Sequence, residues 1–105
     1  MAKQIAKTAK KPHPKDPVVR AAFASIICPL RRRLTLSEKQ VADLSGYSEK
    51  YVGFLERRRH TPSLTAAIMV CAALQENPAK IVNDVRSLMP GFSRLQGRDH
   101  EAADM

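Results

Sequence analysis

The chain has 105 residues with a net charge of +8, 44 % apolar and 5 % aromatic residues. That length sets one domain as the prior, and so few aromatics require a core of Ala, Val, Ile and Leu. No apolar run reaches the roughly 18 residues of a membrane span, and the lysines at the start precede no apolar segment that would make a secretory signal. The basic excess points to a polyanionic partner.

Residues 1–15, MAKQIAKTAKKPHPK, carry five lysines and no acid. They cannot bury enough apolar surface to fold alone and read as a basic flexible arm. Asp16 followed by Pro17 predicts a helix start, with Asp16 as N-cap. Helix 1 is predicted from about Pro17 to Arg33. Phe23, Ile27, Leu30 and Leu34 share one face. Pro29, inside this run, should kink or restart the helix. Arg31, Arg32 and Arg33 close it beside the negative end of the dipole.

The stretch from Leu36 to Leu55 organises the chain. Ser37 and Gln40 form a capping box for helix 2, about Glu38–Ser45, with Val41, Ala42 and Leu44 as its apolar stripe. Gly46 supplies a left-handed turn. Ser48 caps helix 3, about Glu49–Arg57, whose buried stripe is Val52 and Leu55. Two short helices about a glycine turn form a helix-turn-helix pattern, whose second helix can lie in a DNA major groove.

Thr61 and Pro62 interrupt the chain, and Ser63 caps helix 4, about Leu64–Leu74. This helix is apolar nearly all round, so it is either sandwiched in the core or covers a partner with one face. Asn77 and Pro78 start helix 5, which runs to about Leu88 with Ile81, Val82, Val85, Leu88 and Met89 as its stripe. Pro90 and Gly91 stop it. Residues 91–105 read as a flexible tail containing Phe92 and Leu95. The divisions are therefore 1–15 arm, 16–90 helical domain and 91–105 tail.

No strand alternation, internal repeat, P-loop, paired carboxylates or metal-ligand spacing occurs. Cys28 and Cys71 lie in helical patterns and read as reduced thiols. His13, His60 and His100 are scattered, and His60 beside Arg59 reads as a backbone or phosphate contact. No catalysis, metal or cofactor is expected.

The segments F-x3-I-x2-LR, LSEKQVA, SGYS, YV-x2-LE and TPSL occur in this order between about Phe23 and Val82. In them the chain resembles the lambda-repressor-like (XRE/Cro-type) helix-turn-helix family. The resemblance implies an all-α, five-helix DNA-binding domain that reads operator DNA in the major groove, commonly as a dimer. Carried over residue by residue, it places Ser37 and Glu38 at the DNA end of helix 2 and makes Ser48 the cap of the recognition helix. Glu49, Lys50, Gly53 and Phe54 fall outward, and Arg57, Arg58, Arg59 and Thr61 fall in a phosphate-contacting segment. It also implies a structural ion pair of Arg31 with Glu56. Inward positions at 52 and 55 agree with this outward set.

The chain departs from the family at Glu38, often glutamine there, at the acid Glu49, and at Arg58 and Gln75, which replace glycines after helices 3 and 4. The expectation is a cytoplasmic, sequence-specific regulator of double-stranded DNA, acting as a repressor and forming a homodimer through helices 4 and 5. Arg31–Arg33, Arg57–Arg59, Lys50 and the arm would neutralise phosphates. The alternative is a protein-interaction module of the same fold, antitoxin-like or an adaptor.

Overall fold

A computed structural model of the chain describes residues 12–91. Of the flexible tail expected over 91–105 all but Gly91 lies outside the described residues, as does most of the arm. The described residues form five helices and no strand: α1 (Asp16–Arg33), α2 (Glu38–Ser45), α3 (Glu49–Glu56), α4 (Leu64–Ala73) and α5 (Pro78–Ser87). The expected helices all appear. Arg57, Leu74 and Leu88 are cap residues rather than last helical ones.

The start of α1 differs from expectation. Lys15, with helical dihedrals and no side-chain bond, holds the cap position, and Asp16 is the first helical residue. The Asp16 carboxylate still acts at this end, accepting from the His13 backbone N–H at 3.1 Å. Pro29 does not restart the helix, which runs unbroken from Asp16 to Arg33. Its missing N–H costs the bond to the Ser25 carbonyl, and burial of Phe23 and Ile27 on either side of Ser25 offsets that loss.

Isolated helices of eight residues are marginal in water, so α2 and α3 depend on caps and packing. Ser37 and Gln40 make the reciprocal capping box, at 3.0 and 2.8 Å. Ser48 accepts from the Tyr51 backbone N–H at 3.1 Å. Each such cap contributes about 1 kcal/mol. Val52 and Leu55 are 0 % and 1 % exposed, and burial of each adds roughly 1.5–3 kcal/mol. They fix the roll of α3 against α1, while α2 packs on both α3 and α4. The core is aliphatic with one buried phenylalanine, Phe23.

Three residues of the expected stripes face solvent instead. Leu44 is 61 % exposed, and Ser45 takes the buried position beside Val41 and Ala42, its hydroxyl donating to the Ala42 carbonyl. Val82 and Leu88 are also exposed, because Ile81 and Val85 alone satisfy the contact of α5 with α1 and α4. Helix α4 is buried along one side and exposed along the other. Ala66, Ala67, Val70 and Cys71 are buried, while Leu64, Ile68 and Met69 are exposed.

Helices α1 to α4 are followed by left-handed residues: Thr35 (φ 55°), Gly46 (φ 84°), Arg58 (φ 64°) and Gln75 (φ 59°). After Gln75 the Glu76 N–H reaches the Cys71 carbonyl at 2.9 Å, and the Gln75 N–H reaches that of Ala72 at 3.0 Å. This is the Schellman pattern, which recurs at Thr35 and Arg58. Only at Gly46 does the residue suit the backbone. A side chain in this region costs roughly 1–2 kcal/mol. Gln75→Gly should therefore stabilise the domain by about 1 kcal/mol, part of the relief being offset by glycine's larger unfolded-state entropy. The thermal midpoint should rise by roughly 4–8 °C. A midpoint that stays or falls would contradict the strain.

Candidate nucleic-acid interface

The ends of α1, α2 and α3 meet at a cluster of four charges. Arg31 donates Nε to Glu56 Oε2 at 2.5 Å and Nη2 to Glu56 Oε1 at 2.9 Å. Its Nη1 donates to the Leu36 carbonyl at 2.8 Å. The side chains are only 16 % and 6 % exposed. Arg31 is thus engaged with its fork inward, and it leaves the set of phosphate-neutralising arginines read from the sequence. Arg32 and Arg33 remain exposed.

The remaining two charges are Glu38 and Arg57, with Arg57 Nη1 3.7 Å from Glu38 Oε2. Burial, reinforced by the neighbouring Glu56 carboxylate, pushes the Glu38 carboxyl above its ordinary value. Burial would push Glu56 up as well, but the Arg31 hydrogen bonds and charge overcome it and hold that carboxyl below its ordinary value. The Cys28 thiol contributes in the same direction.

Outward from this cluster, α3 presents Glu49 and Lys50, both exposed, and Phe54, half-buried. The Phe54 ring packs against His60 at 5.0 Å between centroids, with the Lys50 ammonium 5.6 Å and the Arg59 guanidinium 5.9 Å from its centre. Exposed cation–π contacts of this kind are worth roughly 0.5–1 kcal/mol, so both cations are placed yet easily released. His60 also approaches Tyr51, which stacks on Tyr47 at 4.9 Å. Arg58 and Arg59 are exposed just beyond α3.

Gly53 lies on the outward face but is covered there, and Thr61, expected in the phosphate-contacting segment, has a partner within the protein. Gly53 is buried beneath the Arg57 side chain. The Thr61 hydroxyl accepts from Arg20 Nε at 2.8 Å, tying the loop after α3 to α1. Arg20 escaped the sequence reading. Its place three residues before Phe23, on the buried face, is the signal that it needs a partner. The aromatic group of Tyr47, Tyr51 and His60 also went unread, because nothing in the spacing joins residues on both sides of a cap.

Among the described residues no group of His, Cys, Asp or Glu could hold a metal ion, and no helix is long and apolar enough to cross a membrane. Cys71 is buried, and desolvation pushes its thiol up to about 11, so it is an inert core residue.

Two capped eight-residue helices about a left-handed glycine, with cations around the outward face of the second, define a helix-turn-helix module. Residues 30–81 match the family model described as Helix-turn-helix, and this segment belongs to that family in its lambda-repressor-like, XRE type. The family is one of DNA-binding regulatory domains, and membership points to a DNA-binding regulator. No curated protein and no solved structure matches the chain.

The ion pair gives a direct test. Arg31→Met leaves the Glu56 carboxylate buried without its partner and should destabilise by about 3–5 kcal/mol in urea unfolding, with much of the loss recovered in Arg31→Met/Glu56→Met. A single variant as stable as the parent would contradict a buried pair. The pH dependence follows from the lowered Glu56 value. Its contribution is present above the unfolded value of about 4.3 and is lost as pH falls through the folded value. Urea midpoints should fall below pH ~4.3, and less steeply in Glu56→Gln. Identical acid limbs would contradict this assignment.

Proposed function

We propose that the chain is a sequence-specific regulator of double-stranded DNA that inserts α3 in the major groove and represses by occupying a promoter. The observation that carries this reading is the outward face of α3. Lys50 and Phe54 are placed there by contacts within the face, between the capped ends at Ser37 and Ser48 and the arginines at 57–59. The backbone N–H groups at the starts of α2 and α3 favour phosphate oxygens, although the carboxylates of Glu38 and Glu49 there oppose them. Arg58 and Arg59 supply exposed cations at the edge of the face. Lys50 suits guanine O6 and N7, and the Phe54 ring suits a thymine methyl. Glu49 suits a cytosine N4 donor.

One short reading helix gives limited specificity, so the working form is a homodimer on a two-fold site. Its surface is drawn from α4 and α5, where Leu64 and Val82 are 74 % and 52 % exposed beside a groove of about 280 Å³ that also touches Phe23, Val85 and Met89. The reading places the protein in the cytoplasm, with the Lys-rich residues before Pro12 adding phosphate contacts.

Selection from a pool of duplexes should enrich an inverted repeat. Binding to it should weaken with salt at a log–log slope of about −0.9 per phosphate neutralised. Arg59→Ala should lower that slope by about 1 without changing the preferred sequence, whereas Lys50→Ala should relax the preference. Binding that is weak and blind to sequence would overturn the reading and favour a protein-interaction module. Val82→Glu should yield a monomer in sedimentation and lose the inverted-repeat preference.

A further inference from the structure

The middle of the α3 outward face lacks a side chain of its own. A Cβ built on Gly53 would collide with Arg57 Nη2 and lie 2.9 Å from Cζ and 3.1 Å from Nη1. The Arg57 guanidinium therefore rests on the backbone where a residue 53 side chain would stand. It reaches back along the helix by one turn, the direction helical side chains favour. Its Nη1 edge meets Glu38 Oε2 at 3.7 Å, an ion pair rather than a hydrogen bond. Glu56, the other nearby carboxylate, is committed to Arg31. The Arg57 side chain remains 56 % exposed, with donors left for a ligand.

We propose that Arg57, laid over Gly53 and held there by Glu38, is a base-reading residue that recognises guanine, and not a phosphate contact. This deepens the DNA-binding reading given above and rests on it. A phosphate contact needs only a mobile cation at the edge of the face, as Arg58 and Arg59 supply. A planar fork held in the centre of the face matches guanine O6 and N7. Holding it before binding reduces the side-chain entropy lost on recognition. The carboxylate at 38, which would repel a phosphate, has a positioning role here. The glycine at 53 is the space that admits the guanidinium.

The test uses the full chain and the duplex selected by the wild-type protein, with single-base-pair variants of that duplex. Anisotropy titrations compare wild type, Gly53→Ala and Arg57→Met at several salt concentrations. Gly53→Ala meets only the flexible end of Arg57, so the helix keeps its fold while the guanidinium is displaced. Arg57→Met keeps an unbranched side chain and loses every donor that could reach guanine.

Both variants should lose preference for one guanine in each half-site, by roughly tenfold or more, with preferences elsewhere intact. A uniform loss over all duplexes in Gly53→Ala, with a salt slope lower by about 1, would make Arg57 a phosphate contact and overturn the proposal. An unchanged preference in Arg57→Met would overturn it too, and carries the test if Gly53→Ala melts early. A wild-type protein that prefers no sequence would fail the DNA-reading itself. A wild-type preference that both variants keep would fail only the role of Arg57.

Discussion

The junction of α1, α2 and α3 depends on the pairing of Arg31 with Glu56. One guanidinium joins the last turn of α1 to the last turn of α3 and to the Leu36 carbonyl, which precedes the capping box of α2. Three segments are thus fixed through one side chain. The arrangement also decides what the neighbouring charges do. With Glu56 occupied, Glu38 is left to face Arg57, and the α2 start is linked to the end of α3. Pairing a buried charge brings little net stability over an apolar substitute. Its value here is geometric, since it fixes the entry of α2 and the exit of α3 together.

Around that link the domain combines good local signals with strained ones. The caps at Ser37, Ser48, Ser63 and Asn77 satisfy helix starts with side-chain oxygens. The helix ends are less well matched, with Thr35, Arg58 and Gln75 in left-handed backbone. At position 58 the mismatch has a reading in terms of charge, because the residue that strains the turn also adds a cation at the edge of the α3 face. Position 75 lies after α4 and has no such compensation in the structure.

The helices were legible because their start signals are local. A serine or asparagine followed by a short apolar pattern needs no tertiary information, and the expected bounds of α2 match the structure residue for residue. The inward positions of α3 were legible for the same reason. Burial was misread at Leu44, Val82 and Leu88, since each lies on a plausible helical stripe and only the packing of neighbouring helices decides which edge of the stripe is covered. Pro29 looked like a break, yet a helix buried by Phe23 and Ile27 tolerates one lost bond. Contacts across long separations were harder. Arg20 with Thr61 and Arg57 with Glu38 require knowing which ends meet, and the covering of Gly53 depends on a side chain four residues away bending back. The Arg31–Glu56 pairing was accessible only through family resemblance, since an isolated arginine and glutamate carry no sign that they are buried.

The central claim is that the outward face of α3, with the start of α2 and the loop at 57–61, is the surface that meets DNA. The most direct measurement is an amide chemical-shift titration of the isotopically labelled protein with its selected duplex. The expected result is perturbation concentrated at residues 37–40, 48–54 and 57–61, with α5 affected only where protomers meet. Perturbation confined to α4 and α5, with the α3 amides unmoved, would contradict it.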